Sequence, residues 1–208
     1  MKKIAMFVGL YLGLTGIAMA ATGNAEAGQQ KSAVCAACHG PDGNSPLDMY
    51  PKIAGQHESY LFKQLKDYKL AAETGGEQGR ADPIMQGQVM MLSEQDMADL
   101  AAFFAAQEMS PGSAPEDVIA EGQKLFIGGD EARGIAACAA CHGPRGDGMA
   151  LANFPDISGQ SAAYTKQQLE RFRSGERQND LNGMMRDVAA KLTDKDIEIL
   201  SQYIQGLY

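Results

Sequence analysis

The sequence predicts an all-α protein built from two tandem domains of similar design, joined by a short linker. Three observations carry this. The pentapeptide Cys-Ala-Ala-Cys-His occurs twice, at Cys35–His39 and Cys138–His142. The blocks that follow each copy recur in the same order. The apolar positions fall at helical spacing, and no alternating strand pattern competes.

The leader comes first. Met1-Lys2-Lys3 precedes an almost uncharged apolar run from Ile4 to Ala18, and Ala18-Met19-Ala20 ends it. A basic start, a short apolar core and an A-x-A ending make a secretory signal peptide over 1–20. No later segment is long and apolar enough to cross a bilayer. An exported protein is expected, in the periplasm of a bacterium with two membranes. Residues 1–20 hold Lys2 and Lys3 and no acid, so their removal takes the formal charge from −8 to −10. That excess argues against nucleic-acid binding, which needs a basic face. It suits steering toward a basic partner surface.

The repeat defines the domains. Gly40-Pro41-Asp42-Gly43 matches Gly143-Pro144-Arg145-Gly146, and Tyr50-Pro51-Lys52-Ile53-Ala54-Gly55-Gln56 matches Phe154-Pro155-Asp156-Ile157-Ser158-Gly159-Gln160. Tyr60, Gln64 and Leu65 match Tyr164, Gln168 and Leu169. The two units span 21–110 and 117–208, with the turn-rich stretch 111–116 between them. The halves differ in two loops. The second carries nine extra residues around Gly128 to Gly134, and the first four extra between Glu73 and Asp82.

A first helix is expected to run into each Cys pair. A middle helix places Leu61, Leu65 and Tyr68 on one face, with Thr165, Leu169 and Phe172 in the second copy. The last helices start at Ser93 and Thr193, each an N-cap with an acid three residues on, Asp96 and Asp196. Met97, Leu100 and Phe104 form one stripe behind the first cap, and Ile197, Leu200 and Ile204 the other. Three or so helices with long loops make a thin core for a unit this small.

Cys-x-x-Cys-His is the attachment signature of c-type haem. Cys35 and Cys38, and likewise Cys138 and Cys141, lie on one face of a helical turn and reach two vinyl groups. The neighbouring His39 and His142 then meet iron from one side. Two covalently attached haems follow, one per domain. Pure electron transfer needs a sixth ligand on each iron, and Met/His is the pair of the cytochromes c. Met85, Met90, Met91, Met184 and Met185 compete. Leu92 aligns with Leu192, which pairs Met85 with Met185, whereas Met184 falls opposite Ile84 and Met90 opposite Ala190. Only Met85 and Met185 are duplicated; the others read as core filler. His57 reads as a surface helix residue with no counterpart in the second half, where Ala162 or Ala163 falls nearby. Pro51 and Pro155 lie a dozen residues past each histidine. Each is either a plain turn proline or the carbonyl that orients the histidine ring.

Taken with the Cys-Ala-Ala-Cys-His and Pro-x-Ile-x-Gly-Gln blocks, Met185-Arg186-Asp187-Val188-Ala189-Ala190-Lys191-Leu192 and the ending Tyr203-Ile204-Gln205-Gly206-Leu207-Tyr208 complete a pattern. The chain resembles the cytochrome c4 family over essentially all of its mature length. The resemblance implies two class I cytochrome c-like domains. It implies His/Met iron ligation by His39 with Met85 and His142 with Met185, and histidine-orienting carbonyls at Pro51 and Pro155. It also implies respiratory electron transfer, from a quinol-oxidising complex or other donor toward a terminal cytochrome oxidase. With no integral segment left after cleavage of the signal, a loose membrane association stays open beside free diffusion. The protein is then a carrier and not an enzyme. A dihaem peroxidase or small-molecule oxidase is the alternative, and it would need one open haem. Structural zinc fits poorly, because two four-ligand sites need eight groups and all Cys and His give seven. A dithiol redox protein lacks its βαβ setting.

Overall fold

Two separate apolar cores, one in each half, organise the computed structural model, which describes residues 22–208. The expected signal peptide at 1–20 lies outside the described residues. The first half contains α1 (Ala25–Lys31), α2 (Ala33–His39), α3 (Glu58–Glu73), α4 (Pro83–Val89) and α5 (Glu94–Ala105). The second contains α6 (Glu116–Gly128), α7 (Ala139–His142), α8 (Ala162–Ser174), α9 (Met184–Ala189) and α10 (Asp194–Gln205). Among the described residues the only β pairing is two isolated bridges, Asp130 with Ile135 and Met149 with Phe154.

The last helix is the centre of each core. Ser93 and Thr193 cap α5 and α10 as expected. Each side chain accepts from the backbone of Asp96 or Asp196, and each aspartate accepts from the cap's own N–H. Behind the caps Leu100 and Phe104 bury against Leu61, and Ile197, Leu200 and Ile204 against Phe126 and Leu192. The first helix of each half crosses the last: α1 lies on α5 and α6 on α10. The crossing points are glycines. A Cβ on Gly28 would sit 2.0 Å from the Asp99 carbonyl oxygen, and one on Gly122 would sit 2.5 Å from Tyr203 Cβ. The middle helices pack beside them, α3 on α5 and α8 on α10.

Two expectations change. The first helix does not run unbroken into the Cys pair. In the first half it breaks at Ser32 between α1 and α2. In the second the nine-residue insertion separates α6 from α7, because Gly129 ends α6 and the Asp130–Ile135 bridge folds the loop back. There is also a short fourth helix in each half, α4 and α9, packed on α3 and α8. Asp82 starts α4 by accepting from the N–H groups of Ile84 and Met85, with Pro83 at the first helical position, where a missing N–H costs nothing.

The halves meet through paired polar contacts. Arg80 donates to Gln64 of its own half, and to Tyr164 (2.9 Å) and Gln168 (2.8 Å) of the other. Arg177 does the reverse, donating to Gln168, and to Tyr60 (2.9 Å) and Gln64 (3.2 Å). Both guanidinium groups are buried, each over an aromatic ring, Tyr68 or Phe172. Gln56 and Gln160 make a second pair of bridges nearer the histidines.

Candidate haem sites

Each Cys-x-x-Cys-His segment is a single helical turn that ends at its histidine. Cys35, Cys38 and His39 lie on α2; Cys138 is the N-cap of α7, which carries Cys141 and His142. Gly40 and Gly143 then stop the helices with φ of 78° and 77°, a left-handed conformation that favours glycine. The chain turns away there and leaves the imidazole facing inward. His39 and His142 are buried.

The prolines do what one of their two readings proposed. His39 Nδ1 lies 2.9 Å from the Pro51 carbonyl oxygen, and His142 Nδ1 lies 2.9 Å from that of Pro155. A carbonyl only accepts, so Nδ1 carries the proton and donates, and the Nε2 lone pair is left available. Burial lowers the pKa of both histidines, and the carbonyls oppose this only in part. Neutral imidazole is the form a metal takes. Tyr50 and Phe154 sit beside the two rings, each 6.4 Å between centroids.

The cysteines suit thioether bonds. All four are free of disulfides. Cys35 and Cys138 pack against the two cores. Burial pushes the Cys138 thiol up to about 11 and raises Cys35 as well. Such a site disfavours a thiolate and accepts an uncharged thioether sulfur. Met85 and Met185 are half-buried on α4 and α9. Met90 and Met91 are exposed, so they are not the core filler expected of them; Met184 is half-buried. The donor set, its protonation and its burial fit a covalently held haem in each half.

A family model described as cytochrome c matches residues 25–107 and again 119–208. Cytochrome c4 of Stutzerimonas stutzeri is 51% identical over the whole of both chains. The chain belongs to the cytochrome c4 family. The crystal structure of reduced recombinant cytochrome c4 from Pseudomonas stutzeri superimposes with a TM-score of 0.88 at 52% identity, covering 90% of this chain and 100% of that one. A more distant relative is a thiosulfate dehydrogenase electron acceptor of Thiomonas intermedia, 35% identical over 84% of this chain and 78% of its own length. This c4-family protein is therefore a dihaem electron-transfer protein of two cytochrome c domains. No helix among the described residues is long and apolar enough to cross a membrane.

The structure corrects one residue and adds several. His57 is not a surface helix residue. It is the N-cap of α3, and its Nε2 is buried without a hydrogen-bond partner. Gln56 beside it crosses to the other half. The counterpart of His57 is Ser161, the N-cap of α8. Gln56, Gln160, Arg80 and Arg177 are the residues that sequence reasoning did not assign. The duplication of Gln56 as Gln160, and of Gln64 as Gln168, was the available signal.

Proposed function

We propose that this protein is a periplasmic carrier of single electrons, exported by a signal peptide at 1–20. On this reading it moves electrons from a quinol-oxidising complex or other donor toward a terminal oxidase. The haem domains span 21–110 and 117–208, with 111–116 as linker. Cys35 and Cys38 hold one haem and Cys138 and Cys141 the other. His39 with Met85, and His142 with Met185, would hold the two irons.

The observation that carries the reading is the duplicated histidine geometry. Both rings donate through Nδ1 to a proline carbonyl at the same distance. Such a bond fixes the ring and makes it a better donor to iron. Haem supplies a reversible one-electron couple when bound. The chain's own part is to bury the ring, fix its tautomer and fill the sixth position with a thioether. The duplication of Met85 as Met185 supports closure of both sites and leaves no open position for substrate.

An optical spectrum of the exported protein tests this, oxidised and reduced, with a pyridine haemochrome assay. Two c-type haems per chain, the weak red band of methionine-bound ferric haem, and no change with carbon monoxide are expected. A carbon monoxide shift in the wild type would instead reveal an open iron and favour the enzyme.

A further inference from the structure

One peptide group in each half has a histidine on one side and the other domain on the other. The Pro51 carbonyl accepts from His39 Nδ1 at 2.9 Å. The N–H of the same peptide, on Lys52, donates to Gln160 Oε1 at 2.9 Å. Gln160 Nε2 returns a bond to the Lys52 carbonyl at 2.8 Å. The second copy is the same in reverse. Pro155 accepts from His142, and Asp156 N–H donates to Gln56 Oε1 at 3.0 Å. Gln56 Nε2 donates to the Asp156 carbonyl at 2.6 Å. Both glutamine side chains are buried.

Hydrogen bonds in series polarise one another. An acceptor at the peptide N–H pushes electron density onto the carbonyl oxygen of that peptide. The oxygen then accepts more strongly from the imidazole, which becomes the more basic ligand. A more basic ligand favours Fe(III) over Fe(II). We propose that Gln160 and Gln56 are positioning residues that lower the reduction potential of the haem in the opposite domain. Gln160 acts on the first haem and Gln56 on the second. This rests on His39 and His142 being the iron ligands. It makes the domain interface part of both redox centres, so a partner that shifts one domain against the other changes both potentials together.

A local role is the competing account. Gln56 Oε1 also accepts from His57 N–H, and Gln160 Oε1 from Ser161 N–H, each at 3.0 Å within its own half. The two accounts differ in which haem responds. Gln160→Met and Gln56→Met keep the side-chain volume and the dry interface while removing the bonds. The full dihaem protein is titrated spectroelectrochemically. Met85→Ala and Met185→Ala reference variants assign the two transitions, since each lowers the potential of its own haem. Gln160→Met is expected to raise the potential of the first haem and leave the second near its original value; Gln56→Met does the opposite. A shift confined to the variant's own domain overturns the proposal. So do equal shifts of both haems, the mark of a loosened interface, or no shift. Failure of the ligand reading is seen separately, in a wild-type spectrum without low-spin histidine–methionine haem.

Discussion

Arg133 grips both carboxylate oxygens of Asp196, at 2.6 and 3.1 Å, from the loop that only the second half possesses. The first half meets the same need differently. There Lys31 of α1 reaches Asp96 at 2.7 Å and Asp99 at 2.6 Å. Each last helix thus starts with a capping aspartate that a cation from elsewhere in its domain neutralises. The nine-residue insertion is an alternative source of that cation.

The Arg133 guanidinium holds the Asp196 carboxyl down at about 2, against 3.8 for the free side chain, with help from Thr193. A carboxyl whose pKa is lower in the folded state stabilises the fold above its unfolded pKa. That stability is lost as pH falls from about 4 to about 2. Arg133 is exposed to solvent, which screens the pair and keeps its contribution to stability at neutral pH small. Arg133→Ala is expected to remove that contribution and to shift acid unfolding of the second domain to higher pH. Circular dichroism through an acid titration measures it.

Gly28→Ala and Gly122→Ala are expected to destabilise their own domains by about 1–3 kcal/mol each, as overpacked cores do. The obstacle at Gly28 is backbone, the Asp99 carbonyl, which cannot rotate away. At Gly122 it is the Cβ of Tyr203, equally fixed. Thermal unfolding of the holoprotein, read by circular dichroism, would show a fall of several degrees in Tm.

Arg177→Met is expected to weaken docking of the two domains. It leaves Tyr60 OH without its donor, while the Gln64 and Gln168 side-chain oxygens each lose one bond and keep the one from Arg80. One polar group left unsatisfied inside an interface costs about 1–3 kcal/mol. The loss should separate the unfolding of the two halves and raise the radius of gyration in small-angle scattering. A wild-type profile would refute a structural role for this network.

Much of this was legible because the chain states its design twice. The duplicated caps Ser93 and Thr193, and the stripes behind them, give α5 and α10 directly. The duplicated Met85 and Met185 stand out from three other methionines. What the repeat could not give was anything the halves do differently. Arg80 and Arg177 make equivalent contacts, yet they lie 12 and 15 residues before Leu92 and Leu192, so alignment never pairs them. The helices α4 and α9, of seven and six residues, are too short to show an apolar period. His57 reads as a surface helix residue from local pattern, which does not report that the neighbouring Gln56 bonds across to the other half.

The clamped peptides also differ in charge, and this gives a last prediction. Lys52 follows Pro51, whereas Asp156 follows Pro155. Burial lowers the Lys52 pKa, and it raises that of Asp156 against the bonds from Ser158. A carboxylate beside the His142 loop favours the more positive Fe(III) state; an ammonium beside the His39 loop disfavours it. Asp156→Asn is therefore expected to raise the potential of the second haem, and Lys52→Met to lower that of the first. Both shifts should be on the order of tens of millivolts, the scale of a partly screened charge some ångströms from iron. The backbone bonds to Gln56 and Gln160 survive both substitutions, so the two effects isolate charge from hydrogen bonding. Potentials that stay unchanged in a redox titration would mean that neither side chain lies closely enough to its haem to be felt, and potentials that move the opposite way would refute the charge argument.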